Sequence, residues 1–593
     1  MAVFNYLSTT DWNYYFDFAG SSVLTRNATT FQYLSTAGLT VTLHGSGFTY
    51  DVTGIPTAGT IARMDVVKNG IQVGHYTGLT TPLTAFETLA FGHTSGAADT
   101  PVSTVNLYTL LQTGDDVING NDLSKTLVGN AGDDTIYGNG GDDWMQGAAG
   151  TDRYYGGTGR NGVYFDTDPG IQHGISVDLG KTKANILDDG YGNTETATNV
   201  QMIGGSGFAD LIKGGATDNT LYGHGGNDTI YAGAGNDYVQ AGDGQDQSDG
   251  GAGLDWLSFT DVPAGHHGAV VNLAATSGPT VLDDGFGNSE TATGFEYLAG
   301  TTYADQFTGS KGDNVLSGND GNDSLYGGKG NDIIYGGGGD DRLIGGSGFE
   351  VFFGGKGRDY FDGGSASDYL YFSDVDGTGH GVTANLGKSK NQIADDGYGN
   401  TETARNIEHL LGTAYGDKLT GNNGVNDLWG GAGNDTLYGG GAFDQLDGGD
   451  GADRLFGGKD IDTLSGGQGN DTLTGGNDSF NFFYFDDITP GLDGVDHITD
   501  FQSGEDLIVA NTNWAADIDY GTITAAQFLA GSGVTAATTS QQRFLYDTAT
   551  GKLYFDADGT GSGATAALFA ILDNHATLTS DQISAITTAN TPP

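Results

Sequence analysis

In four runs between residues 111 and 474 a large apolar residue returns every nine positions, set among glycine and aspartate. In GNAGDDTIY (129–137), GNGGDDWMQ (138–146) and GAAGTDRYY (147–155), Ile136, Met145 and Tyr154 hold the eighth place. Each unit fits G-G-x-G-x-D-x-U-x, where U is large and apolar. The last three residues read as a short strand that turns U inward, and the glycines before them read as a tight turn. Four runs keep this register: 111–164, 205–258, 300–371 and 412–474, with six, six, eight and seven nonapeptides. A fixed period over that length predicts a solenoid of stacked repeats.

The rest of the chain does not follow the nine-residue period. Residues 1–110 alternate apolar and polar positions between glycine turns, as in LTVTLHGSGFTYD (39–51), and predict a small antiparallel β domain. Three spacers, 165–204, 259–299 and 372–411, repeat one another. They contain HGISVDLGKTKANILDDGYGNTETAT (173–198), HGAVVNLAATSGPTVLDDGFGNSETAT (267–293) and HGVTANLGKSKNQIADDGYGNTETAR (380–405). The flanking ISVDL and VQMIGG read as longer parallel strands. In the tail, 475–593, QRFLYDTATGKLYFDADG (542–559) reads as strands and GATAALFAIL (563–572) as a short helix. The stretch DADGTGSG (556–563) lacks the twelfth-position Glu of an EF-hand loop, which counts against that motif.

Composition narrows the partners. The formal net charge is −53 over 593 residues, which disfavours nucleic acid and anionic membranes and favours cations. There is no Cys, so disulfides and thiolate metal sites are excluded. With 29 Tyr and 29 Phe the chain has the means to form a core. No apolar run is long enough to span or insert into a membrane, and the first twenty residues lack the features of a cleaved signal peptide.

Position 6 of the repeat carries the chemistry. Calcium takes six to eight oxygen ligands from carboxylates and carbonyls together, and a glycine turn ending in Asp offers both. The candidate ligands are Asp134, Asp143, Asp152, Asp210, Asp228, Asp237, Asp246, Asp255, Asp305, Asp323, Asp332, Asp341, Asp359, Asp368, Asp417, Asp435, Asp444, Asp453, Asp462 and Asp471. Without cations, such stacked carboxylates would form rows of like charge. Lys125, Asn219, Asn314 and Asn426 occupy position 6 in the second repeat of each run and predict a weak or empty site there. Asn161 and Glu350 are further exceptions. Position 4 is Ala442 and Asp460 in two loops of the fourth run, where distortion is expected.

These nonapeptides resemble those of the repeats-in-toxin (RTX) family of secreted bacterial proteins. The resemblance implies an all-β fold: a right-handed parallel β-roll with two nonapeptides per turn and calcium between stacked loops. It implies shared ligation by residues eighteen apart, such as Asp134 with Asp152, Asp228 with Asp246 and Asp435 with Asp453. At roughly one ion per interior loop, about 12 to 19 calcium ions are expected. DHITDFQSGEDLI (496–508) is similar to the C-terminal region of serralysin-like proteases. That likeness implies a β-rich cap, an uncleaved export signal and passage through a type I ABC exporter.

Each spacer's DDG element admits two readings. One is an extra calcium loop using Asp188, Asp189 and Glu195, or Asp283, Asp284 and Glu290, or Asp395, Asp396 and Glu402. The favoured one is a turn that continues or caps the roll. His173, His267 and His380 recur at equivalent places, and repetition explains them better than a zinc site.

No catalytic motif accompanies the repeats. H-E-x-x-H, G-x-S-x-G and a Walker A motif are all absent. LSGGQ (464–468) matches the ATP-binding-cassette signature by chance, since Leu464 is a U residue and the glycines belong to a repeat turn. The expectation is a secreted, non-enzymatic, calcium-folded component of a bacterial surface or matrix, such as a surface layer, fibre or biofilm. Self-association and surface glycans are the expected partners, and calcium the only cofactor. An extracellular polysaccharide-modifying enzyme is the alternative.

Overall fold

The computed structural model describes residues 115–586, apart from 121–123, 125, 167–169, 184, 373–378, 477–479, 486–487, 489–493, 512–520 and 562–564. Before them it describes the backbone of six strands. The chain divides into two compact units, Met1–His266 with Ala275–Tyr297, and His267–Ala274 with Leu298–Pro593. Among the described residues there is no α-helix, and the architecture is all-β, a parallel β-roll.

In the first unit, Ser22–Asn27, Thr30–Leu34, Leu39–Tyr50, Pro56–Lys68 and Ile71–Pro82 form an antiparallel meander. Ala2–Tyr6 lies antiparallel to Ile71–Pro82 and parallel to Asp116–Asn119, so this sheet runs directly into the roll. The roll then alternates between two faces. Thr135–Tyr137 pairs in parallel with Arg153–Tyr155, while Trp144–Gln146 pairs with Thr126–Val128 and Gly162–Tyr164. Strands eighteen residues apart are therefore neighbours, and two nonapeptides make one turn. The U side chains fill the space between the faces: Ile136, Met145 and Val163 are completely buried. Each such side chain contributes about 1.5–3 kcal/mol of burial.

The first spacer interrupts one face only. Met202–Gly204 bridges Gly162–Tyr164 to Thr220–Tyr222, so that face is continuous. On the other face Thr196–Thr198 covers Arg153–Tyr155 and ends the first run's sheet. Ser176–Asp178 starts the next sheet, parallel to Leu211–Lys213 and antiparallel to Ile186–Asp188. The strands within ISVDL and VQMIGG, Ser176–Asp178 and Met202–Gly204, are parallel to the roll as expected but only three residues long, because each fills a single rung.

The second unit repeats this plan. Its third-run strands lengthen to six residues, as in Ser324–Lys329 and Arg342–Ser347, because the glycines of the next turn join the ladder. Thr403–Arg405 ends one sheet, Thr383–Asn385 starts the next, and His409–Leu411 carries the other face across the spacer. In the tail, Phe544–Asp547 and Lys552–Phe555 form the expected strands, and these pair antiparallel. The helix expected at 563–572 does not form: Ala567–Leu572 is a strand, parallel to Asp496–Ile498 and antiparallel to Lys552–Phe555. Its helical propensity is worth a few tenths of a kcal/mol per residue, less than an open slot between two strands provides. Part of DADGTGSG lies outside the described residues.

Candidate metal centre

The position-6 side chains stack in two columns. A backbone N–H in one repeat donates to Oδ1 of the residue two repeats on, as from Asp116 to Asp134 and from Asp134 to Asp152, both at 2.7 Å. In the first unit one column holds Asp116, Asp134 and Asp152, ends on Glu195, and restarts with Asp210, Asp228 and Asp246. The other column holds Asp143, Asn161, Gln201, Asn219, Asp237, Asp255 and Glu296, and between Gln201 and Asn219 the link is the Asn219 side-chain amide donating to the Gln201 carbonyl. In the second unit the broken column holds Asp305, Asp323, Asp341 and Asp359, then Asp417, Asp435, Asp453, Asp471 and Asp496. Its partner column includes Asn314, Asp332, Glu350, Asp368, Glu408, Asn426, Asp444, Asp462, Asn481 and Asp506.

All twenty candidate aspartates are at most 4% exposed. In Asp134, Asp152, Asp228, Asp237, Asp246, Asp255, Asp323, Asp332, Asp341, Asp359, Asp368, Asp435, Asp444 and Asp453, Oδ2 is buried with no hydrogen-bond partner. A buried, unpaired carboxylate is costly, and the groups respond by holding protons. Burial pushes Asp134 and Asp323 up to about 8 and Asp228 up to about 9, and neighbouring carboxylates push them further the same way. A divalent cation fits this row, since it supplies the positive charge those oxygens lack. Among the described residues no group of three or more His, Asp or Glu is placed to hold a metal by itself. A cation in these loops therefore draws much of its shell from peptide carbonyls.

Glycine makes room for the row. A Cβ on Gly129 would collide with the Asp134 carboxylate. Gly451, at φ +155°, lies against the Gly433 carbonyl with no space for a side chain. Ala442 and Asp460 take position 4 at φ 74° and 70°, so those loops keep a left-handed residue rather than losing the turn.

The rows are not uniform. Asp210, Asp305 and Asp417 were grouped with the other candidates from sequence, but they open each later run with both oxygens engaged. Ser206 donates its N–H to Asp210 Oδ2 at 2.6 Å and its hydroxyl to Oδ1 at 2.7 Å. Thr301 and Thr413 do the same for Asp305 and Asp417. Asn219, Asn314 and Asn426 accept N–H groups from Gly215, Ser310 and Asn422 of their own loops. Lys125 lies outside the described residues.

Position 5, treated as variable in the sequence, forms a second ladder running the other way. The N–H of Thr151 donates to Asp133 at 2.8 Å, that of Asn236 to Asp218 at 2.8 Å, and that of Asn331 to Asp313 at 2.7 Å. The recurrence of Asn and Asp just before the ligand Asp was the available signal. The spacer residues Gln201, Glu296 and Glu408, which continue the position-6 columns, fall outside the nonapeptide and left no such signal, and Glu195, which does the same, stood out only as a candidate ligand of the DDG loop.

In the DDG elements the paired aspartates cap their own turn. Asp189 Oδ1 accepts the N–H of Tyr191 and Asn193, at 2.9 and 2.8 Å, and Asp188 Oδ1 that of Gly190 at 3.0 Å. Asp283, Asp284, Asp395 and Asp396 behave alike. His173 and His380 each approach a single carboxylate, Asp188 at 3.8 Å and Asp395 at 3.1 Å.

A parallel roll whose loops stack buried carboxylates against glycine turns is a calcium-binding repeat protein. The family description "RTX calcium-binding nonapeptide repeat (4 copies)" matches residues 128–163, 204–257, 291–378 and 411–479 in overlapping segments. These segments of the chain carry RTX calcium-binding nonapeptide repeats. Curated proteins give no match. Among solved structures, the extracellular lipase LipA from Serratia marcescens aligns at 19% identity over 47% of this chain and 40% of the lipase, with a TM-score of 0.13. The alignment thus spans less than half of that lipase.

Proposed function

We propose that this chain is a secreted, non-catalytic structural or adhesive component of a bacterial surface or matrix, held folded by extracellular calcium. One observation carries the reading: rows of fully buried carboxylate oxygens without a donor. Such rows stand only if protonated or bound to cations, and a net charge of −53 makes the cation-free chain expand. In cytosol, where calcium is scarce, the aspartates repel one another and the chain stays unfolded and fit for a type I exporter. Outside, millimolar calcium matches the affinities of extracellular calcium modules, about 10⁻⁴–10⁻³ M. The loops then close, and binding free energy becomes folding free energy. Circular dichroism of purified protein with calcium and after chelation tests this. A strand spectrum that collapses on chelation and returns with calcium is expected, and an unchanged spectrum overturns it. Negative-stain microscopy with calcium tests the structural role: sheets or fibres support it, and dispersed particles without glycan or surface binding count against it.

A further inference from the structure

The broken column of the first unit closes twice on a spacer glutamate, and the two closures differ. At the first, Glu195 Oε1 accepts the N–H of Asp152 at 3.0 Å and Oε2 accepts the hydroxyl of Tyr154 at 3.2 Å. That hydroxyl also accepts the N–H of Gly147 at 3.1 Å. Tyr154 is the U residue of its repeat and pairs with Ala197. At the second closure the U position holds Ser248, paired with Ala292 in the same register. A serine hydroxyl does not extend as far as a tyrosine's, and Ser248 Oγ has no partner. Glu290 Oε1 and Asp246 Oδ2 have none either. These three residues are only 5%, 4% and 2% exposed.

The carboxyl group of Glu290 lies within hydrogen-bonding reach of Asp246 and Asp284. Asp284 is already occupied by its turn: its Oδ1 accepts the N–H groups of Phe286, Gly287 and Asn288, and its Oδ2 the Asn288 amide. With its carboxyls ionised, the second closure thus leaves a glutamate oxygen, an aspartate oxygen and a hydroxyl without a donor, whereas at the first the phenol and the Asp152 N–H occupy both Glu195 oxygens and only Asp152 Oδ2 is left.

We propose that Glu290 and Asp246 hold a divalent cation at the end of the second run, and that Glu195 and Asp152, closed by Tyr154, do not. Glu290 is then a calcium ligand outside the nonapeptide, taking the place of the next position-6 Asp. The inference rests on the calcium-loaded fold proposed above. Peptide carbonyls of the closing loop would complete the shell, as calcium's need for six to eight oxygens requires.

Crystals of the full chain loaded with terbium, examined by anomalous scattering, test it directly. A peak within about 2.3–2.6 Å of Glu290 and Asp246 oxygens, with none between Glu195 and Asp152, is expected. No peak at Glu290, or equal peaks at both closures, overturns it. In solution, metal analysis after equilibrium dialysis should find one calcium fewer in Glu290→Gln than in wild type, and no loss in Glu195→Gln. An unchanged count in folded Glu290→Gln overturns the assignment. A wild type that takes up no calcium would instead sink the parent reading.

Discussion

Ala442 shows what one position of the repeat demands. Position 4 turns the chain through a left-handed conformation, and Ala442 adopts it at φ 74° where most repeats have glycine. A left-handed L-residue is strained by about 1–2 kcal/mol. Ala442→Gly is therefore expected to stabilise the calcium-loaded protein by about 1 kcal/mol, measured as a raised midpoint in denaturant. A lowered midpoint would show that the strain estimate is wrong. The ligand aspartates were legible in sequence because each stands at a fixed place after its glycines. The acceptors at position 5 were not, since Asn, Asp, Thr, Leu and Phe all occur there and only stacking shows which of them accept a bond.

At the scale of elements, the spacers act as caps. A solenoid face that stopped abruptly would leave a row of unpaired backbone groups. Thr196–Thr198 and Thr403–Arg405 cover the last rung, and a Ser or Thr four residues before the first Asp secures the new one. Thr301→Ala removes the hydroxyl that reaches Asp305 Oδ1 at 3.1 Å. A net hydrogen bond to a charged group is worth about 1.5–3 kcal/mol. The variant should lose about that much stability in denaturant titration, while Thr301→Ser should keep it; equal losses in both would sink the capping role. The repetition of the spacers was plain in sequence, and so was their bias toward strand. Their division of labour was hidden, because ending one sheet and starting another depends on which rung each three-residue strand occupies. The expected helix at 563–572 failed for the same reason: a neighbouring open edge outweighed local propensity.

Across the whole molecule the carboxylate rows set the response to pH. Asp134, Asp228 and Asp323 titrate in the fold at about 8, 9 and 8, against an ordinary value of 3.8, chiefly because they are buried. For a raised acid the folded state binds more protons than the unfolded one between those values, so the contribution is full below about pH 4 and lost as pH climbs through 8 to 9. Calcium-free protein should therefore melt at progressively lower temperature from pH 5 to pH 9. Calcium requires the ionised form, so the loaded protein should show the opposite trend, weakening as acid displaces the ion. Thermal melts followed by circular dichroism check both, and a calcium-free midpoint that rises with pH would contradict the burial of these groups. The sequence by itself determined the period, the inward apolar residue, the aspartate ligands and hence the all-β calcium-binding class, because a nine-residue repeat with glycine turns has one compact way to bury its eighth position. Only the tertiary structure decided that the ligands form two unlike columns, that one of them is broken and capped by glutamates from outside the repeat, and which oxygens are left without a donor, because those facts depend on residues eighteen to forty-four positions apart meeting on adjacent rungs.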